Sequence, residues 1–591
     1  MLKSMGAALG AFIFAGTVQA ADRCQVGKIL EIPIVMKGES PTLHVGLNGH
    51  DVQMTLDSGA FYSTLTASTA DDLHLKRDPA SSGFAIGGVG GEQAAWTTTV
   101  GTMTINGYPI TSVAFIVGGS EVGTSGLFGD NLLNLADTEY DLAGGYVRLM
   151  RPQNCGNMAF AYWTEPGQAY SVIDIQRLDP RSPHTVGDVM INGVRLRAIF
   201  DTGAFSTVLK TSAAEKLGVW PTSPGVVPGG ITGGIGRHLE ESWIGSFASF
   251  KIGDEEIKNV HLRFGDVGIE DADMLIGADF FLSHHIYVAH SQRKLYFTYN
   301  GGPVFDLSVN PAKTADKDNA KHPAPATGPL PAGEVLKTAA EYYRRGQARI
   351  ARGDLTGALA DLDRAVAMTP DSPDYLYSRA ALRRDAGQSK EALDDLDKAV
   401  KARPDDPHIL MARAELRKDL DDKTGARADL GAADKVASKL SDQRLDLAGL
   451  HGELEETPQA IADYDLWLAA HPDDNRRSEA YNGRCWTRAV ANRELPLALQ
   501  DCNKALGMLP KAAAFLDSRA LVRFRMGDYA DAIVDYDAAI ASDPKSALSR
   551  YGRGVAELKL GQKDKGEADL KAASALDAGV VDHAKKYGLA S

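Results

Sequence analysis

"MTLDSGAFYSTL" (residues 54–65) and "AIFDTGAFSTVL" (residues 198–209) are one phrase written twice, with 144 residues between Asp57 and Asp201. Each time an apolar run leads into Asp-Ser/Thr-Gly-Ala-Phe, and small hydroxylated residues follow. Each phrase therefore sets a carboxylate at the end of a buried strand. That is a costly place for a charge unless the two carboxylates serve each other.

The surroundings of the phrase are duplicated too. About thirty residues after each Asp comes a Gly-rich hairpin, "IGGVGGEQ" with Gly88, Gly90 and Gly91, then "GGITGGIGR" with Gly230, Gly233 and Gly234. Farther on lie "GLFGDNLL" at Gly129 and "LIGADFFL" at Gly277. Another strand pair closes each copy, "TEYDLAGGYVRLM" and "HHIYVAHSQRKLYFTYN". Residues 22–157 and 158–301 thus read as two β lobes, with Asn-Gly turns between short strands. Residues 302–335 are rich in Pro, Ala and Lys without apolar periodicity and read as a linker.

From residue 336 to 591 the texture becomes helical and repetitive. "GDLTGALADLDRAVAMTP" ends at Pro370 and "GQSKEALDDLDKAVKARP" at Pro404, 34 residues later. That period and the Gly…Ala…Ala…Pro skeleton resemble tetratricopeptide repeats; about seven units fit, the third and fourth degenerate. The recurrent acids Asp361, Asp395 and Asp535 read as a solvated face.

The order of strand, Asp-Ser/Thr-Gly-Ala, Gly-rich hairpin and later apolar-apolar-Gly resembles the retropepsin-like aspartic proteases, in the bacterial form with two copies in one chain. The resemblance covers residues 28–300. It implies an all-β double-lobed retropepsin/pepsin-like fold, followed here by an all-α repeat solenoid. It further implies that Asp57 and Asp201 face each other as the catalytic pair, share one proton and activate a water. Ser58 and Thr202 would interlock beneath them, and Gly59 and Gly203 would leave the backbone room. The Gly-rich hairpins would serve as flaps over an extended peptide. The chain departs from the viral pattern at a second acid after Asp-Thr-Gly-Ala and at an Arg after the later Gly. Phe61 and Phe205, then Asp130 and Ala278, stand there, which suggests an apolar substitute for that ion pair.

The 591 residues carry a formal net charge of −14, which argues against a nucleic-acid partner. Lys3, the apolar "MGAALGAFIFAG" and "VQA" ending at Ala20 read as a signal peptide over residues 1–21, so a periplasmic or secreted protein is expected, with no membrane insertion after cleavage. The four cysteines fall into two neighbourhoods, Cys24 with Cys155 and Cys485 with Cys502. Local pairing is expected, with two buried thiols as the alternative for the second pair.

No His-Glu-x-x-His or Gly-x-Ser-x-Gly occurs, and no Lys-Ser/Thr completes a phosphate loop. His284, His285 and His290 read as surface histidines, not metal ligands, and no cofactor is expected. The expected function is an exported aspartic endopeptidase, monomeric, with a peptide or protein substrate. The concave face of its repeats would hold a protein partner. The alternative is a scaffold that binds peptides without cleaving them.

Overall fold

The computed structural model describes residues 24–80, 85–88, 91–118, 123–156, 158–165, 167–178, 184–232, 240–269, 271–305 and 335–589. The signal-peptide reading, flap residues Gly90, Gly233 and Gly234, and most of the linker lie outside these.

Each lobe is a sheet closed on itself. In the first, Ser40–Leu47 pairs with His50–Leu56 and also with Trp96–Ile105, where Gly46 faces Thr104. In the second, Val186–Ile191 pairs with Val194–Phe200 and with Glu240–Ile252, where Ile191 faces Phe250. The tight turns are those the sequence announces. Asn48-Gly49, Asn106-Gly107 and Asn192-Gly193 all take positive φ at both residues, the twist a two-residue hairpin needs. Alternating side chains point inward and fill each lobe, Leu43, Val45 and Met54 in the first, Leu196, Ala198 and Phe200 in the second.

The lobes are joined by a six-stranded sheet to which both contribute. Gln25–Pro33, Tyr146–Gln153 and Asp137–Asp141 come from the first copy. His284–Ala289, Lys294–Tyr299 and Ser171–Asp174 come from the second. The seam is antiparallel, with Thr138 opposite Val288 and Tyr140 opposite Ile286. This seam corrects the reading of the histidines. His284 and His285 are 0% and 7% exposed. His284 Nδ1 lies 2.9 Å from the Phe280 carbonyl, and His285 Nε2 lies 2.8 Å from the buried Glu139 carboxylate. Burial also pushes His290 down to about 4. His285 is interior because the first copy covers the second copy's last hairpin, whereas His284 is packed within its own lobe against Phe280, Glu255 and Phe297. A single-copy reading leaves the His285 face open.

Cys24 is bonded to Cys155, next to Gln25 opposite Gln153, so this link ties the two ends of the first lobe together. Cys485 is bonded to Cys502.

The C-terminal region is all helical. Seven antiparallel pairs run from Ala339–Ala351 with Leu355–Met368 to Ala547–Lys559 with Lys563–Leu576, and Val580–Lys586 follows. The recurrent acids are not a solvated face. Asp361, Asp395 and Asp535 are 3%, 1% and 1% exposed. Each takes a two-pronged bond from an Arg sixteen residues earlier, Arg345, Arg379 and Arg519. Asp429 and Asp569 are held the same way by Arg413 and Arg553. The third unit keeps this ladder. The fourth replaces it with Arg444 on Asp463. The ladder was hidden because the arginine that covers each acid lies sixteen residues earlier on the preceding helix, and the periodicity of one helix does not record what packs on it.

The solenoid is seated on the lobes. Ala348 belongs to the same apolar core as residues of both lobes, and Arg352 donates to the Gly301 carbonyl. Farther along, Ser438 Oγ donates to Asp72 of the first lobe at 2.9 Å. Lys511 Nζ lies 4.0 Å from Glu241 of the second. Ala348, Val304 and Phe305 bring apolar surface to the lobes that a free-standing lobe pair would leave in water, so the regions on either side of the linker pack on each other. Among the described residues no helix is long and apolar enough to cross a membrane.

Candidate active site

The two phrases meet at the centre of the lobes. Asp57 and Asp201 each follow directly on a barrel strand, His50–Leu56 and Val194–Phe200. A short strand runs parallel beside each, with Phe128 opposite Leu56 and Ile276 opposite Phe200. The Asp57 N–H donates to the Phe128 carbonyl at 3.0 Å and that of Asp201 to Ile276 at 2.9 Å.

Beneath the carboxyls the hydroxyls cross from lobe to lobe. Thr202 Oγ1 donates to the Leu56 carbonyl at 2.9 Å and accepts the Ser58 N–H at 3.0 Å. Ser58 Oγ donates to the Phe200 carbonyl and accepts the Thr202 N–H, both at 3.0 Å. Four bonds with pseudo-twofold symmetry thus lock the two loops, so the position of one Asp is fixed by the other lobe.

Gly59 and Gly203 have no room for a side chain. A Cβ on Gly59 would lie 2.3 Å from the Asp201 Cγ, and one on Gly203 would lie 2.3 Å from the Asp57 Cγ. Each glycine therefore lies under the opposite carboxyl, and its N–H donates to its own Asp, at 2.9 Å for Gly59 and 2.8 Å for Gly203. Gly203→Ala is expected to push Asp57 off its partner and cost about a hundredfold in kcat, the scale for displacing a reacting group by about 1 Å. Peptide cleavage by the variant, with its thermal unfolding as a control, checks this.

Asp57 and Asp201 hydrogen-bond each other. Burial raises both above the usual carboxylate range, and the charge of Asp201 raises Asp57 further. Two carboxyls at this distance cannot both ionise freely, so the pair retains one proton between them.

A second symmetric layer was not read from the sequence. Asn131 Oδ1 accepts from the Ser63 N–H and Oγ at 2.7 and 2.9 Å. Asp279 does the same for Thr207, at 2.9 and 2.7 Å. Burial raises Asp279 to about 6. These pairs hold the end of each Asp loop to the helix after Gly129 or Gly277, whose own N–H groups donate to Ser63 Oγ and Thr207 Oγ1. The signal was present: a hydroxyl six residues after each Asp, and Asn or Asp two after each later Gly.

Phe61 and Phe205 do not form an apolar replacement for an ion pair. They are 37% and 38% exposed, one against the His184 ring at 4.3 Å and the other with the Arg263 guanidinium 5.6 Å from its centre. Of the flap glycines within the described residues, Gly88 and Gly91 face each other across a two-stranded hairpin, and Gly230 lies in Val227–Thr232.

An aspartyl protease family model matches residues 187–280, around Asp201 and Gly277. A second, described as "gag-polyprotein putative aspartyl protease", matches residues 43–135, around Asp57 and Gly129. A tetratricopeptide repeat model matches residues 343–407 and 518–580. The chain therefore carries aspartyl-protease lobes in tandem, followed by tetratricopeptide repeats. Among solved structures it is similar to a tetratricopeptide repeat protein from Parabacteroides merdae, 20% identical over 42% of this chain and 98% of that one, TM-score 0.36. It is also similar to PilW, a type IV pilus biogenesis factor, 16% identical over 34% of this chain and 92% of that one, TM-score 0.31. YrrB, a repeat protein with an unusual peptide-binding site, is 15% identical over 38% of this chain and 97% of that one, TM-score 0.24. No curated protein matches the chain.

Proposed function

We propose that this protein is an exported, monomeric aspartic endopeptidase. The observation that carries the reading is the hydrogen-bonded pair Asp57–Asp201, locked from both lobes by Ser58 and Thr202. In the singly protonated pair, the ionised carboxylate takes a proton from a water, whose oxygen attacks the scissile carbonyl carbon. The protonated carboxyl gives its proton to the carbonyl oxygen. Collapse of the tetrahedral diol breaks the C–N bond, with the amine nitrogen taking a proton from the pair while a diol hydroxyl returns one to it, and the single-proton state is restored. No covalent enzyme intermediate forms. Because each lobe supplies one Asp, a single chain holds a whole site and needs no second copy.

Two disulfides in a chain whose first residues read as a signal peptide support export to an oxidising compartment. The repeats are proposed to hold a protein partner or substrate on their concave face. Since the solenoid touches both lobes, what it holds is presented at a fixed place relative to the cleft.

The test is cleavage of a peptide library by the purified chain across pH. The expected result is cut peptides, with a bell-shaped kcat/KM whose two limbs belong to the pair. Peptides bound but left uncut at every pH would favour the scaffold reading instead.

A further inference from the structure

The two lobes differ at one wall beside the catalytic loops. In the second lobe Val208, seven residues after Asp201, lies beside Arg263. In the first lobe Thr64, seven residues after Asp57, lies beside Ile116. One strand farther, Trp243 faces Phe264 and Trp96 faces Val117, so Ser242 stands where the first lobe has Ala95. A cation and a hydroxyl in one lobe thus answer to two apolar residues in the other.

Arg263 is 8% exposed. Its Nη1 donates to Ser242 Oγ at 2.7 Å and to the Gly229 carbonyl, at the base of the Gly-rich hairpin where Gly230 faces Ser242. Both acceptors are neutral. Its Nε is buried without a partner, and among the described residues its Nη2 donates to none. The acids whose charges reach it are Glu39, on a turn of the first lobe, and Asp279, whose carboxyl is taken by Thr207. Neither accepts a hydrogen bond from it. A guanidinium keeps its charge even here, and a buried charge without a carboxylate in contact is costly. In the solenoid, Arg379 gives the same edge, Nε and Nη2, to the two oxygens of Asp395. Arg263 lies over the Phe205 ring, and Phe205 is 38% exposed, four residues after Asp201. The first lobe's Phe61 packs instead on His184, which burial pushes down to about 4, so that wall is uncharged above this pH.

We propose that Arg263 and Phe205 form a carboxylate-reading subsite at the second lobe's side of the cleft, with an uncharged aromatic subsite of Phe61 and His184 as its counterpart. The substrate class that follows is a peptide with Asp or Glu on one side of the scissile bond and an apolar or aromatic residue at the matching place on the other. An extended chain laid along Phe205 brings its carboxylate to the unpaired edge of Arg263, as Asp395 meets Arg379. The pseudo-symmetric cleft thereby gains a direction. The proposal rests on the protease reading for its catalytic consequence.

The test uses short fluorescent peptides in pairs that differ only by Glu or Gln at one position, with that position moved along the peptide. For the full chain, kcat/KM is expected to favour Glu by about tenfold at a place on one side of the cut only, the scale of one charge-assisted hydrogen bond. In Arg263→Ile, which installs the first lobe's residue, and in Arg263→Gln, the ratio should fall to about one. Arg263→Lys keeps the charge and should keep part of the preference. Both rates of a pair come from one protein sample, so a loss of folded chain cancels in the ratio, and a residue with only a structural role leaves the ratio in place. A preference for Glu on both sides or on neither, or one that survives Arg263→Ile, overturns the proposal.

A second measurement needs no cleavage. Asp201→Asn, in the full chain, should bind the favoured Glu peptide about tenfold more tightly than its Gln partner, and adding Arg263→Ile should remove the difference. Equal binding before that change overturns the proposal. If the wild type cuts nothing, the protease reading fails, and the binding comparison still decides whether Arg263 reads a carboxylate.

Discussion

Asp201→Asn, and separately Asp57→Asn, should each lower peptide cleavage by about a thousandfold or more while leaving the fold intact. The chemistry requires one ionised and one protonated carboxyl in contact, and an amide can neither take the water's proton nor return it to the leaving nitrogen. The two losses should be alike, because the roles are coupled across a symmetric lock and not ranked. They should also be non-additive: the double variant should be no slower than either single one, since each already empties the same mechanism. Asn keeps the size of Asp, and its Oδ1 still accepts the Gly59 or Gly203 N–H. The Ser58–Thr202 lock involves neither carboxyl, so far-UV spectra and Tm should stay near wild type. A variant that cleaves at a tenth of the wild-type rate would mean that one carboxyl suffices.

The second large effect lies in the solenoid. Asp395→Ala should cost about 3 kcal/mol of unfolding free energy, the scale for removing one partner of a buried ion pair. Asp395 accepts from Arg379 at 2.8 and 2.7 Å and from Arg383 at 2.7 Å. Its loss leaves two largely buried guanidinium groups with only the half-exposed Asp363 as a charged partner. Asp363→Ala touches the same two arginines from a half-exposed position and should cost below about 1 kcal/mol. Repeats contact chiefly their neighbours, so hydrogen exchange in the Asp395 variant should quicken around residues 373–402 well before it does near residue 570. Chemical denaturation of the two variants side by side measures the difference.

What could be read from residues alone was whatever the chain states twice. The Asp-Ser/Thr-Gly-Ala phrases, the later glycines and the 34-residue period are local and repeated, and they carry the lobes and the solenoid. The Asn-Gly turns were legible for the same reason, since a two-residue hairpin admits few residue types. Features stated once, or set by contacts distant in sequence, were not legible. Arg263 has Ile116 at its counterpart, so duplication gives it no echo. His285 meets Glu139 across 146 residues, and no pattern near residue 285 records that partner. Asp395 looks like its exposed neighbours until the preceding helix brings Arg379 over it. Ala348 lies in a helix whose apolar stripe reads equally well as facing the next repeat or facing the lobes.

That reading also changes how the repeats should be studied. A chain cut near Asn300 lacks Phe305, which meets Phe250 edge to face with ring centres 4.8 Å apart, and Ala348 from the shared core. Loss of activity after such a cut would report damage to the lobes as much as loss of a bound partner. Substitutions on the concave face of the intact chain are the cleaner probe.

The central claim is that two lobes of one chain make one site. It is tested most directly by the rate of peptide cleavage of Asp57→Asn, Asp201→Asn and their equimolar mixture over a wide range of protein concentration. The account predicts background rates for all three at every concentration, because the Ser58–Thr202 lock pairs unlike lobes within a chain and leaves no lobe free to meet its like in another. Cleavage by a single variant, rising with the square of its concentration, would show like lobes pairing between chains and would contradict it.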